Sequence, residues 1–443
     1  MEKDKYLLKA TRLLDSEPPA LDGGKLRAYV EEFLGRRDLY LAAWRQFGSP
    51  LYMLDEAALM ARADEFYRRF SAQIPDINCF YAIKSNYHPF LIKTLIARGY
   101  GMDVSSGVEL KLVLDHSPDR VIFSGPAKTL DELKLACAHA DRVTVLIDSF
   151  GELERLQAVA AGMKIKVRAG VRLTVEDRGL WRKFGISLAL LEAFLKKSGE
   201  CPNVSVEGLQ YHTSWNMDTS QHETFLKRLG SQLGALPAPL IGGLKFLDMG
   251  GGYWPPEGEW VHAAVTPEGQ LRACLDPQPL PAVEHCFYPA LPLEDFAGRI
   301  RSVLESDVFP HCRMQPCVEP GRWICHPSMH ILLTVMDKKG DDLVIVDAGT
   351  NTVGWERYER DYFPVLNLTR PSLEEKPCVI YGSLCTPHDI WGFHYFGEDI
   401  RPGDILFIPD QGAYTYSLRQ QFIKPLPAEV VLRAGKNSIE AYK

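Results

Sequence analysis

The 443-residue chain is short of several features that would fix its class directly. Its ten cysteines are scattered, with no CxxC pair and no Cys/His spacing of the kind that holds zinc. Free thiols in a reducing cytoplasm are the expectation, and no metal site is predicted. Positive charge is not in excess: 50 Lys and Arg stand against 57 Asp and Glu, a formal net charge of −7. That balance argues against a nucleic-acid or membrane-surface partner. No uninterrupted apolar run is long enough to span a bilayer. The opening Met1-Glu-Lys-Asp-Lys5 leads into no signal-type apolar core, so a cytoplasmic protein is expected. Also missing is the Gly-rich turn that a doubly wound dinucleotide-binding sheet wants at its first helix.

What is present is ordinary globular composition, with 46% hydrophobic and 24% charged residues, and enough chain for two domains. Residues 1–45 read as helical, with Leu7, Leu8 and Leu13, then Leu26, Val30, Phe33 and Leu34 at helical spacing. Gly48-Ser-Pro50 is a turn, 51–54 a short strand and 57–70 an amphipathic helix. From Cys79 onward short apolar strands alternate with helices. The strands fall at 79–83, 101–104, 121–123, 143–147, 165–173, 206–211, 246–249 and 314–318. Eight strand–helix repeats without hairpin turns predict a closed (β/α)8 barrel of the TIM type. A long Pro-rich segment near 255–290 interrupts the last repeat; it is either a functional lid or a peripheral excursion, and a lid over the barrel mouth is the expectation. After Arg322 the runs 330–336, 343–347, 378–381 and 405–408 are β-rich, which predicts a C-terminal all-β domain. The expected organisation is an N-terminal segment 1–45 packed on the β-domain, a barrel over 46–322 and the β-domain over 323–443.

Nearly every predicted strand ends in groups capable of chemistry. They are Lys84; Asp103 with Ser105 and Ser106; Ser124; Asp148; Arg172; His212; Gly250, Gly251 and Gly252; and Glu319-Pro-Gly321-Arg322. Taken alone, Lys84 reads as a strand-end lysine reaching water and His212 as a structural histidine. In a barrel, however, these ends converge on the face where active sites lie. The glycines and Arg322 follow the seventh and eighth strands, whose loops commonly form a phosphate site. A desolvated lysine, a phosphate site and a carboxylate together fit pyridoxal phosphate: the amine forms a Schiff base and Glu319 pairs with the ring nitrogen.

The motifs Tyr81-Ala-Ile-Lys84-Ser-Asn86, Asp103-Val-Ser-Ser-Gly-Val-Glu109, Lys183-Phe-Gly-Ile186, Tyr211-His212, Gly250-Gly-Gly252 and Glu319-Pro-Gly-Arg322 occur in that order. Val346-Asp-Ala-Gly349, Gly382-Ser-Leu-Cys385-Thr-Pro-His-Asp389 and Gly412-Ala-Tyr414 follow them. Together, over about residues 48–425, they resemble the diaminopimelate/ornithine decarboxylase family of pyridoxal-phosphate enzymes, of alanine-racemase-like fold. The resemblance implies a (β/α)8 barrel followed by a β-barrel domain, in a homodimer with shared active sites. Lys84 would be the Schiff-base lysine, His212 would stack on the ring and Glu319 would pair with its nitrogen. Gly250, Gly251, Gly252, Gly321, Arg322 and Tyr414 would hold the phosphate, with Asp103 and Arg172 on the same rim. Cys385 would come from the partner subunit and return a proton to the α-carbon.

Departures from the family pattern bear on the substrate. The histidine motif usually continues to Gly-Ser; here it reads His212-Thr-Ser-Trp-Asn216, so either Ser214 takes over the phosphate contact or that contact is missing. Relatives carry an acidic residue after the cysteine for a distal ammonium, and this chain has Thr386. Where diaminopimelate decarboxylases place an arginine for the distal carboxylate, spacing from Asp347 gives Trp355. Losing a partner for a buried charge costs about 2–5 kcal/mol, so neither diaminopimelate nor ornithine is expected to be read in the usual way. Thr386, Asp389, Trp355 and Arg357 are the substrate-binding candidates. The function expected is decarboxylation of an amino acid or amino-acid conjugate. An amino-acid racemase and a non-catalytic binding relative are the alternatives, although a racemase wants a second acid/base where this chain offers Cys385.

Overall fold

A computed structural model describes residues 2–15, 19–276, 284–354, 360–435 and 438–442. The chain divides into two units. One comprises Met60–Pro256 and Ala290–Cys325, the other Met1–Leu59, Glu257–Pro289 and His326–Lys443.

The first unit is a closed barrel of eight parallel strands: Asn78–Ala82, Gly101–Val104, Val121–Phe123, Val143–Ile147, Val167–Leu173, Val204–Tyr211, Phe246–Asp248 and Gln315–Val318. The last pairs back onto the first through Cys317 opposite Asn78 and Val318 opposite Cys79. Short apolar runs such as Val121-Ile-Phe123 suit this position, because barrel strands are buried on both faces. The interior is filled by side chains, including a layer of Phe80, Ile122, Leu146 and Cys317 packed with Phe246. Glycine at 208 makes room for Phe246, whose ring a Cβ there would meet at 2.2 Å. Several helices begin within a few residues of a strand end because a hydroxyl caps them. Ser106 accepts from Glu109 N, Ser149 from Glu152 N, and Thr129 forms a reciprocal capping box with Glu132. Each such cap contributes about 1 kcal/mol and keeps the strand-end loops short.

In the second unit six strands pair around a ring: Met329–Lys339, Leu343–Val346, Glu375–Tyr381, Ile390–Phe396, Leu366–Asn367 and Ile405–Ile408. Leu51–Asp55, Ala428–Leu432 and Ile439–Ala441 extend the sheet from Met329–Lys339. Helices Gly23–Gly35 and Arg37–Phe47 cover it, adding Leu26, Val30, Phe33, Tyr40 and Leu41 to a core that includes Leu332, Leu366 and Phe407. Tyr40 stacks on Phe407 at 4.1 Å.

The strand at 51–55 thus belongs to this sheet, whereas the sequence pattern places residue 46 onward with the barrel. The segment near 255–290 also lies in this unit. Its strands Glu259–His262 and His285–Tyr288 form an antiparallel hairpin. Leu21 N donates to His285 O and Phe287 N to Pro19 O, while His262 N and Tyr362 N bond to Arg360 O and Trp260 O. The hairpin is therefore stitched between two remote pieces of its own unit. Among the described residues, no helix is long and apolar enough to cross a membrane.

Candidate active site

Lys84 sits in the one-turn helix Ile83–Ser85 that follows the first barrel strand. Ser85 Oγ donates to Ala82 O at 2.7 Å and Tyr81 OH to Asn86 O at 3.0 Å, which fixes that turn. The Lys84 Nζ donates to Asp103 Oδ2 at 2.5 Å. Asp103, on the second strand, is fully buried and accepts from Ser124 Oγ at 2.7 Å through its other oxygen. Burial and then the charge of Glu319 push Asp103 up, while Lys84 and Ser124 oppose them. Lys84 is 31% exposed, so its ammonium pairs with a buried carboxylate and still reaches the rim.

Glu319, directly after the eighth strand, is buried and accepts from Gln210 Nε2 at 3.3 Å. Burial alone would raise it, but the adjoining His212 and the Lys84 ammonium outweigh that and hold it at about 2. Asp248 on the seventh strand behaves oppositely. Burial and the neighbouring Glu319 push it well above the carboxylate range, so it keeps its proton while Glu319 stays ionised. The Asp248 Oδ1 accepts from Gly250 N at 2.9 Å.

His212 Nδ1 lies 3.1 Å from Gly251 N and 3.5 Å from Glu319 Oε2. One nitrogen cannot both accept from the amide and donate to the carboxylate. Burial pulls His212 below its ordinary value, which favours the neutral ring accepting from Gly251. Arg172 is buried too, its guanidinium 4.4 Å from the Phe184 ring centre and flanked by Glu319, Asp148, Asp103 and Asp248.

The glycine loop lies against this group. Gly250 and Gly252 have φ of +69° and +84°, and a Cβ on Gly251 would meet Glu319 O at 2.3 Å. Asn216 ties the loop after the sixth strand to it, donating from Nδ2 to Gly251 O at 2.8 Å and from N to Gly252 O at 3.1 Å. Ser214 lies in that same loop. Trp215, with φ +54°, is 55% exposed and stands 5.4 Å from Trp254. The Arg322 guanidinium lies 4.5 Å from the Trp254 ring and 6.0 Å from that of Trp215. At Gly321 a Cβ would meet Ser85 Oγ at 2.9 Å, so the first and eighth strand ends are in close contact.

The barrel unit thus brings together Lys84, Asp103, Arg172, His212, Ser214, Gly250, Gly251, Gly252, Glu319, Gly321 and Arg322. The remaining described candidates belong to the other unit. There Cys385 is exposed, Thr386 half-buried, and Tyr414 holds φ +59°. Asp389 is buried with both oxygens occupied: Oδ1 accepts from Thr350 N and Oγ1, and Oδ2 from Leu384 N. Trp355 and Arg357 lie outside the described residues. Sequence reasoning missed Asp248, Gln210 and Trp254. Asp248 is the one polar residue of an otherwise apolar strand, a signal that was available, whereas Gln210 shares its strand with Ser205 and Glu207. Nothing local marks Trp254.

Residues 60–326, more than half of the chain, match the family model of the pyridoxal-dependent decarboxylase, pyridoxal binding domain. The chain is 32% identical over 425 residues to the diaminopimelate decarboxylase of Pseudomonas aeruginosa, covering 89% of this chain and 90% of the relative. It is 27% identical over 407 residues to that of Methanothermobacter thermautotrophicus, covering 88% of each. The crystal structure of diaminopimelate decarboxylase from M. jannaschii with L-lysine superposes with a TM-score of 0.73 over 91% of both chains, at 21% identity, and shows the shared fold. A barrel of this kind with this domain match defines an enzyme class, and the chain belongs to the pyridoxal-dependent decarboxylase family. It is a carboxy-lyase with pyridoxal phosphate as its cofactor.

Proposed function

We propose that this enzyme removes the α-carboxylate of an amino acid or amino-acid conjugate, with Lys84 holding the cofactor and Cys385 donating the final proton. Bound pyridoxal phosphate supplies an aldehyde for an amine and a ring that accepts the electrons left as carbon dioxide departs. The observation that carries the reading is the buried cradle: the amine of Lys84 against Asp103, beside an ionised Glu319 and a protonated Asp248. The residues present fit the cofactor. Buried Gln210 Oε1 has no hydrogen-bond partner among the described residues, and the glycine loop is too close to its neighbours for any Cβ at Gly251.

In this reading the Glu319 carboxylate would pair with the ring nitrogen and hold a proton on it. The neutral His212 would stack on the ring. Gly250, Gly251, Gly252, Ser214, Gly321, Arg322 and Tyr414 hold the phosphate, while Asp103 and Arg172 balance charge behind Lys84. Exposed Cys385 serves the site of a partner subunit in a cytoplasmic homodimer. The saturated hydrogen bonding of Asp389 suits a positioning residue that shapes the Cys385–Thr386 turn rather than a substrate ligand. Thr386 offers no charge to a distal ammonium, which supports a substrate with an atypical distal group. A panel of diaminopimelate, lysine, ornithine, arginine and carboxylated conjugates, followed by release of carbon dioxide, tests this. Gas evolution greatest with a substrate lacking a free distal ammonium is expected. Racemisation without gas would overturn the reading.

A further inference from the structure

The β-domain unit contains a second concentration of ligating groups, unrelated to the cradle. His285 opens one strand of the insertion hairpin, directly opposite His262 on the other. Glu375 and His394 lie on the neighbouring strands Glu375–Tyr381 and Ile390–Phe396, close to each other in register. One ring nitrogen of His285, one of His394 and a carboxylate oxygen of Glu375 all lie within 4.8 Å of one another. We propose that His285, Glu375 and His394 form a transition-metal site, best suited to Zn²⁺, that clamps the insertion hairpin to the β-domain.

The donor set selects the ion. Two imidazoles and one carboxylate suit Zn²⁺ or a similar first-row cation; Ca²⁺ and Mg²⁺ want oxygen ligands throughout. Bonds of about 2.0–2.2 Å mean the side chains close by roughly an ångström around the ion. The surroundings resemble a prepared site. Tyr362 stacks on His285 with ring centres 3.4 Å apart and donates from its hydroxyl to Glu375 Oε1 at 2.8 Å, fixing both ligands. His262, 96% buried, stands 5.8 Å from the His285 ring and 6.3 Å from that of His394. Its Nδ1 has no hydrogen-bond partner among the described residues, which makes it the candidate for the fourth position.

Without metal, His285 Nε2 meets both Glu375 oxygens at 2.9 and 3.0 Å. Metal entry replaces that contact, and the ring proton is carried on Nδ1, which is buried and has no partner among the described residues. The clamp also answers a structural need. An isolated two-stranded hairpin is marginally stable, and a metal joining residue 285 to residues 375 and 394 closes long loops of chain.

The test uses the full chain loaded with pyridoxal phosphate, stripped with a chelator, supplied with Zn²⁺ or Co²⁺ and desalted. About one metal per chain is expected to remain. Zn²⁺ should raise Tm, and Co²⁺ should show visible ligand-field bands without thiolate charge transfer, which separates this site from exposed Cys274 and Cys385. His394→Ala and the milder Glu375→Gln should each lower retention at least about tenfold while keeping cofactor absorption and turnover. No retained metal in the wild type, thiolate charge transfer, or unchanged retention in both variants overturns the proposal. The wild-type readouts stand whether or not the variants fold.

Discussion

At the scale of single residues, the account turns on two buried acids in opposite states. Glu319 is ionised and Asp248 protonated. An amide replaces a protonated acid well and a carboxylate badly. Asp248→Asn should therefore keep the fold and the cofactor, whereas Glu319→Gln should lower kcat by about 10²–10³-fold with the cofactor still bound. Stability against pH carries the same signature. A carboxyl whose folded value is raised holds its proton after the unfolded chain has lost it, so ν_N exceeds ν_U and stability falls as pH rises above the ordinary value of 3.8. Asp248 contributes a slope of up to about −1.4 kcal/mol per pH unit from there towards its raised value. Urea melts between about pH 4.5 and 7 should show a shallower fall for Asp248→Asn than for wild type. An identical pH dependence would contradict the protonated state. Lys84, Asp103 and Glu319 were legible because each ends a strand in a sequence rich in such ends. The split between Asp248 and Glu319 was not, because it depends on distances across the barrel.

At the scale of elements, the loops after the sixth, seventh and eighth barrel strands act together. Asn216, Gly251 and Glu319 touch in succession, so a methyl group at 251 strains all three. Gly251→Ala should cost about 1–3 kcal/mol and weaken cofactor retention, as measured by absorption after dialysis. Gly162→Ala serves as the control, since no atom lies within 4 Å of its added Cβ and its φ is not in the left-handed region. The barrel strands were legible within a few residues because each is a short apolar run between turn signals. The edges of the β-domain were harder. Leu366–Asn367 is two residues long, and Ile390–Phe396 carries His394 and Gly392 within an otherwise apolar run. The insertion gave no periodicity to read, and the proposed ligands His285, Glu375 and His394 stay hidden in sequence because three strands, one of them in the insertion, supply them. Spacing rules detect zinc sites only when the ligands are close in the chain.

At the scale of the whole molecule, the proposed homodimer has a distinctive consequence. If Cys385 serves the partner's Lys84, a Lys84→Ala subunit and a Cys385→Ala subunit complement each other. Equal mixing by co-expression gives half heterodimers, each with one intact site, and so about a quarter of wild-type activity. Activity no higher than the two single variants would place both residues in one chain's site. The overall architecture was legible from eight strand–helix repeats followed by β-rich runs. The assignment of Leu51–Asp55 to the β-domain sheet was not, because its pairing partners lie almost three hundred residues or more away.

The central claim is that Lys84 is the residue to which the cofactor is joined. Borohydride reduction of the loaded enzyme, followed by peptide mass spectrometry, tests it most directly, because reduction fixes the cofactor to the lysine that carries it. The account predicts a pyridoxyl-phosphate adduct on Lys84, lost in Lys84→Ala together with the visible absorption. An adduct on another lysine, or none on a chain that still absorbs, would contradict it.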